Sequence, residues 1–271
     1  MRSQQRIVSL APSATAILCA LGARRSLVGV TKWCKDVAPV AGLPALGDCW
    51  SLDPERVFAL KPTLVIGSVP FKTETVGKLL GAPFAFLALN PRSLADVESD
   101  IRMLGRIVGR VRAAESLIAK MRAGFARVAR KARRASRGRT PPRVYCEAWP
   151  NPRISSPPWV AELVEIAGGR FCVPAGRRVS DDTVARARPD VIVVAWAATG
   201  SRPKPARTLA VPAFRNVPAV RQRRVFVVRD EWLNTPGPPL LRGAQELLRL
   251  LHGGDDSSRR RNLSRQKGSP R

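Results

Sequence analysis

Two α/β lobes, each built on a mainly parallel sheet, joined by one long α-helix and holding a ligand cleft between them, are the architecture this chain predicts. Three observations predict it. Short β-branched runs alternate with helical segments through residues 6–89 and again through 144–252, the pattern of parallel sheets covered on both faces. Between those stretches no proline interrupts residues 93–140, while apolar residues recur at helical spacing. Finally, DPERVFALKPTLVI from Asp53 and DDTVARARPDVIV from Asp181 superpose at a constant offset of 127 residues, as two related lobes would; a chance likeness of two βα units is the alternative.

The first strand spans 6–10 and leads through Ala11-Pro12 to a helix that Ser13 caps and Gly22 ends. The second strand spans 27–31. Asp53-Pro54 opens a helix with an N-cap acid and a proline at the first helical position, and Lys61-Pro62 stops it. A strand at 64–66, a helix at 73–80 and a strand at 84–89 complete a lobe of residues 1–92. Residues 93–138 are expected as a single helix, opened by Ser93 with Asp96 as its capping partner. Its apolar stripe runs through Ile101, Leu104, Val108, Val111, Ile118, Met121, Phe125 and Val128. About 40 residues at 1.5 Å each span about 60 Å, too long for one small sheet and suited to a strut between lobes; a coiled coil is the plainer alternative. Residues 139–252 form the second lobe, with strands at 144–148, 191–194 and 224–228 and helices at 159–167, 180–188 and 238–252. Residues 253–271, rich in Gly, Ser and Arg, read as a disordered basic tail.

The formal net charge is +27. Fourteen Lys/Arg against one acid, Glu115, lie in residues 101–143, and Arg259, Arg260 and Arg261 form a second cluster. Binding to nucleic acid or an anionic membrane is one reading; a solvated, arginine-rich surface is the other. No aromatic residues interleave with these arginines, which argues against single-strand binding, so no specific nucleic-acid partner is expected. The five cysteines, Cys19, Cys34, Cys49, Cys146 and Cys172, form no CxxC pair, and the lone histidine is His252. That composition leaves no zinc site and few general-base schemes. Free buried thiols are expected, with a Cys34–Cys49 disulfide only in an oxidising compartment. No apolar run reaches the roughly 20 residues of a membrane span. The start of the chain runs straight into a strand and shows no export signal, which places the protein in the cytoplasm if the chain is complete as written.

Six tryptophans carry the functional signal. Trp33, Trp50, Trp149, Trp196 and Trp232 stand just past a strand or in a Pro/Gly/Asn loop, whereas Trp159 starts a helix and reads as packing. Ligands of open parallel sheets bind beyond the strands' carboxyl ends, so these side chains suit a large, flat, partly apolar ligand; ordinary packing is the alternative for any one of them. The chain has no P-loop, dinucleotide fingerprint, nucleophile elbow or metal-ligand cluster, so no catalytic residues, metal or cofactor are expected and the protein reads as a non-enzyme. Asp181-Asp182 are explained by helix N-capping. The repeat pairs Glu55 with Asp182, one acid in the first turn of a helix in each lobe.

RIVSLAPSATAILCALG, LVGVTKWC, DPERVFALKPTLVI and WLNTPGPPLLRGAQELL together resemble the solute-binding receptors of cobalamin and iron-siderophore ABC importers, over residues 6–252 and nearest the cobalamin-binding branch. The resemblance implies two lobes joined by one long helix, a periplasmic location, and a monomer that hands a small-molecule ligand to ABC permease subunits. It implies that Trp33, Trp50, Trp149 and Trp232 hold a corrin ring and that Glu55 and Asp182 dock on permease arginines; Ser13, Trp196, Glu231 and Asn234 are expected beside them as ligand-binding residues. Ala16 stands where relatives carry glutamate, and Thr235 and Pro239 where many carry arginine. A ferric-siderophore or haem receptor of the same fold is the alternative, with arginines such as Arg153 and Arg177 serving an anionic siderophore; a cytosolic basic nucleic-acid-associated protein is the alternative of another class.

Overall fold

The computed structural model describes residues 5–48, 51–68, 73–197 and 205–253. The chain divides into two compact units, Met1–Ala123 with Glu231–Leu240, and Gly124–Asp230 with Leu241–Arg271.

Unit 1 is built on four parallel strands, β1 (Ile7–Ser9), β2 (Leu27–Val30), β3 (Leu64–Ser68) and β4 (Ala85–Leu89), in the order β2-β1-β3-β4. The helices α1 (Pro12–Ala20), α2 (Pro54–Phe58), α3 (Thr73–Leu80) and α4 (Leu94–Ile107) connect and cover them. β1 and β3 are buried through most of their length because their residues are apolar on both faces. Val8, Leu10, Leu46, Val57, Val65 and Leu79 form one core cluster. Gly29 belongs in β2 because a Cβ there would stand 2.5 Å from Leu60 Cδ1. Pro12 takes the first position of α1 and Ala11 is its N-cap, so Ser13 lies within the first turn and does not cap it, as a proline at that position favours.

The expected single helix over 93–138 is two. Ser93 opens α4 by accepting a hydrogen bond from Asp96 N at 3.1 Å, but the helix stops at Ile107, and α5 (Val111–Ala135) begins after a turn. Gly109 supplies the left-handed residue, at φ +66°, on which helices commonly end, and Arg110 N closes onto Gly105 O at 2.6 Å. A Cβ on Gly105 would meet Ala114 Cβ at 2.6 Å, so two glycines make the corner without any proline. The chain passes from one unit to the other inside α5, a 25-residue helix.

Unit 2 contains β5 (Arg143–Pro150), β6 (Arg153–Ser155), α6 (Pro158–Ile166), β7 (Arg170–Phe171), α7 (Asp181–Ala187), β8 (Val191–Val194), α8 (Pro205–Leu209), α9 (Pro218–Arg221) and β9 (Val225–Val227). Its sheet runs β6-β5-β8-β9, with β7 parallel to the start of β5 and β6 antiparallel to its end. After the short helix α10 (Asp230–Leu233), helix α11 (Leu240–His252) closes unit 2. Residues 231–240, expected with the second lobe, belong to unit 1, where Gly237 abuts Ile17 and Ser13. The segment 254–271 lies outside the described residues.

The 127-residue echo is structural. Asp53 caps α2 by accepting from Glu55 N, and Ser180 caps α7 by accepting from Thr183 N. Lys61 and Arg188, again 127 residues apart, both adopt φ +44° before a proline. The strands that follow, β3 and β8, hold the same place: β2-β1-β3-β4 in unit 1 matches β7-β5-β8-β9 in unit 2.

Candidate functional site

Open parallel sheets take ligands outside the strands' carboxyl ends, where the strand order reverses. In unit 1 that point lies between β1, which leads to β2 on one side, and β3, which leads to β4 on the other. Leu10 N donates to Ile66 O at 2.7 Å there, and α1 starts over it. Ser13 is buried in its first turn. Glu231, also buried, precedes half-buried Trp232 and Asn234, and a Cβ on Gly237 would stand 3.7 Å from Ser13 O. Packing thus brings Ser13 and the 231–234 turn into one neighbourhood although 218 residues separate Ser13 from Glu231 in sequence. Half-buried Trp33 follows β2, with Lys32 Nζ 5.1 Å from its ring centroid. That ammonium also pairs with Asp48 at 2.7 Å, which fixes the stacked geometry.

Behind Trp33 the polar groups are uncharged. Thr15 Oγ1 donates to Ser9 Oγ at 2.8 Å and lies 3.1 Å from Cys34 Sγ, which is 3.2 Å from Thr31 Oγ1. Burial pushes the Cys34 thiol up, so it stays protonated. Cys34 is a free thiol, as are Cys19, Cys146 and Cys172. Trp50 and Cys49 lie outside the described residues.

In unit 2 the equivalent point lies between β5 and β8, and its centre is Glu147, which the tryptophan signal did not reveal. Glu147 is fully buried near the end of β5. It accepts from Trp196 Nε1 at 2.8 Å, from Tyr145 Oη at 3.1 Å and from Arg153 Nη1. Arg153 reaches it from β6, donates through Nε to Asp181 Oδ1 at 2.7 Å, and lies over the Phe214 ring at 4.8 Å. A buried carboxylate is tolerated when cations and donors surround it, and here three side chains do so. Burial, and then the Glu147 charge, push the Tyr145 phenol far above its usual range. The available signal was an acid inside the apolar strand RVYCEAWP with an arginine just across the tight turn to β6.

This arrangement sorts the expected ligand residues of unit 2. Trp196 is 5% exposed and joins the core cluster of Tyr145, Ile192 and Phe214; its indole ties the end of β8 to β5 and offers little open surface. Trp149 is 39% exposed, with its Nε1 donating to Asn151 O at 2.9 Å, so the ring face is held open. Arg153 is engaged by Glu147 and Asp181, while Arg177 is exposed. His252 Nε2 stands 2.8 Å from Ala167 O, against Gly168. Among the described residues no group of three or more His, Cys, Asp or Glu is placed to hold a metal ion, and no helix is long and apolar enough to cross a membrane.

Glu55 and Asp182 are both exposed in the first turns of α2 and α7. Neither forms an ion pair among the described residues, whereas neighbouring Asp181 is taken by Arg153. Glu55 also borders a concavity of about 620 Å³ lined by Phe58, Pro62, Pro83 and Phe84.

The periplasmic binding protein family model matches residues 7–231. The chain is 26% identical over 263 residues to an ABC transporter substrate-binding lipoprotein of Bacillus subtilis (strain 168), covering 93% of this chain and 81% of that protein. It is 25% identical to the vitamin B12-binding protein of Pectobacterium atrosepticum, over 91% of this chain and 88% of the relative. Among solved structures, the apo periplasmic haem-binding protein of Roseiflexus sp. RS-1 superposes with a TM-score of 0.76 at 28% identity, covering 92% of this chain and 98% of that one. With a family match over most of its length and two units repeating one parallel-sheet topology, the chain belongs to the periplasmic binding proteins.

Proposed function

We propose that this chain is the substrate receptor of an ABC importer, acting outside the cytoplasmic membrane as a monomer and a non-enzyme, and that its ligand is cobalamin or a related corrinoid. The relatives divide between vitamin B12 and haem, and one observation favours the corrinoid. The chain has one tyrosine and one histidine, and both are taken: Tyr145 is buried on Glu147, and His252 is held at the Ala167 carbonyl. Haem iron is held by His, Tyr, Met or a Cys thiolate. Burial raises the thiols of Cys19, Cys34, Cys146 and Cys172, the last to about 11, so none offers a thiolate at neutral pH. Met121 is buried in α5, and Met103 lies within α4, away from the strand-end loops. Cobalamin carries its own axial ligands and asks the protein for flat apolar contact, for which Trp33 just past β2, Trp149 near the end of β5 and Trp232 in α10 are the proposed surfaces, with Ser13, Glu231 and Asn234 as proposed polar groups. An anionic siderophore fits less well, because Arg153 is neutralised within the protein.

Parallel titrations with cyanocobalamin and haemin test the ligand. Calorimetric heat and indole quenching with cobalamin, and no shifted Soret band with haemin, are expected. A ligated haem spectrum with a silent cobalamin titration would overturn the corrinoid reading and leave a haem receptor, the reading that the Roseiflexus likeness favours.

Glu55 and Asp182 are proposed to meet cationic side chains of the permease. Glu55→Ala with Asp182→Ala abolishes permease-stimulated transport and leaves cobalamin affinity unchanged; lost affinity would instead assign these acids to the ligand site.

A further inference from the structure

The excess charge of the chain is not evenly answered by acids. Two arginines of α4 and α5 have carboxylate partners: Arg122 grips Glu98 through Nε at 2.7 Å and Nη2 at 2.5 Å, and Arg102 Nε reaches Glu115 at 3.0 Å. From residue 116 to residue 146 the sequence contains no acid at all. Arg130, Arg133, Arg134 and Arg137 lie there, all exposed, and none has an ion pair or hydrogen bond among the described residues. Arg130, Arg133 and Arg134 share one face of α5 at about 100° per residue, and Arg137 follows in the turn just past its last residue, Ala135. Val128 and Ala132, buried on the core side, fall on the opposite face by the same rotation. Among the described residues these four arginines line a concavity of about 460 Å³.

Basic residues near a helix carboxyl terminus gain from the macrodipole, which accounts for one or two of them. Four guanidiniums converging without a counter-charge repel one another, and the group that relieves this carries several anionic oxygens. Arg geometry matches phosphate bidentately. The cluster is exposed and free of aromatic residues. It therefore suits a plane of headgroups and lacks the stacking surface that single-stranded nucleic acid uses.

We propose that this arginine face is a membrane-docking surface, taking the phosphates of anionic phospholipid headgroups and keeping the receptor close to the bilayer in which its permease sits. The role of this face rests on the receptor reading above and not on the identity of its ligand.

The test is sedimentation of the full chain with phosphatidylglycerol-containing and pure phosphatidylcholine vesicles at physiological salt. The wild type is compared with a cradle variant, Arg130→Gln/Arg133→Gln/Arg134→Gln/Arg137→Gln, and a control of equal charge change, Arg25→Gln/Arg186→Gln/Arg215→Gln/Arg221→Gln. The expected results are binding to the anionic vesicles only, a loss on the order of 100-fold in the cradle variant, and a loss under about 3-fold in the control. Unchanged thermal midpoint and circular-dichroism spectrum of the cradle variant show that it is folded, and the fourfold Arg→Lys variant at the same positions retains most of the binding. Equal losses in both glutamine variants would reduce the effect to net charge and overturn the proposal. So would absence of binding to anionic vesicles, displacement by millimolar inorganic phosphate or pyrophosphate, which would make the cradle a free-anion site, or tighter cradle-dependent binding to duplex DNA.

Discussion

Where β1 and β3 end in unit 1, the side chains hydrogen-bonded to one another are hydroxyls and a thiol, Ser9, Thr15, Thr31 and Cys34, and the buried carboxylate of that unit, Glu231, lies on α10 rather than on a strand. Where β5 and β8 end in unit 2, the same topological position holds a carboxylate, Glu147, with a guanidinium, a phenol and an indole around it. The backbones repeat one phrase down to the left-handed residues Lys61 and Arg188, yet the polar chemistry behind the strand ends differs. Topology fixes where a binding loop can stand; the side chains behind it decide how firmly it stands. In unit 2 a charge network pins β6, α7 and the end of β8 beneath Trp149, whereas in unit 1 Trp33 is oriented by a surface cation, Lys32, and its partner Asp48.

That contrast is broken most directly at Glu147. Glu147→Ala leaves Arg153 as a nearly buried cation with one carboxylate partner fewer and the Trp196 indole without an acceptor, and loss of one member of such a pair costs about 3–5 kcal/mol. Thr15→Val in unit 1 removes a neutral donor and costs about 1 kcal/mol. Urea unfolding of both variants measures the difference, and equal losses would dissolve the distinction between the two strand-end sets.

A smaller effect sharpens the same comparison. Asp100, half-buried on α4 in unit 1, has no ion pair among the described residues, and desolvation followed by the nearby Asp96 charge raises its carboxyl to about 6 from 3.8. A carboxyl raised on folding binds its proton more tightly in the folded state, so it erodes stability as pH rises from 3.8 towards 6 and the full penalty applies above that. Asp100→Asn therefore stabilises the protein at pH 7 by about 1 kcal/mol, allowing for solvent screening at this half-exposed position, and has no effect near pH 3.5. Thermal midpoints of wild type and variant across that range should diverge between pH 4 and 6; a constant difference would refute the assignment. Removing the buried acid of unit 2 destabilises because it is compensated; removing the uncompensated acid of unit 1 does the reverse.

The alternation of strands and helices was readable because proline and cap residues mark each boundary: Asp53-Pro54, Ser93, Ser180 and Pro189 all act as their chemistry suggests. The break between α4 and α5 was hidden because Gly105 and Gly109 interrupt the helix without disturbing the apolar spacing. The return of residues 231–240 to unit 1 depends on Gly237 fitting against α1, a long-range contact that no local pattern encodes. Strand-end position proposed Trp33, Trp149, Trp196 and Trp232 alike, and could not show that Trp196 is buried, since that rests on an indole hydrogen bond to Glu147. Glu147 itself was overlooked because an acid in a strand gives no sign of its partners until β6 folds back.

The central proposal is that tryptophans at the strand ends, Trp33 and Trp149 among them, hold a corrinoid. Calorimetric titration of cyanocobalamin into wild type, Trp33→Ala and Trp149→Ala tests it, with one substitution in each unit. The account predicts one cobalamin per chain and an affinity about 10-fold weaker in each variant. Undiminished affinity in either variant, or no heat from the wild type, would contradict it.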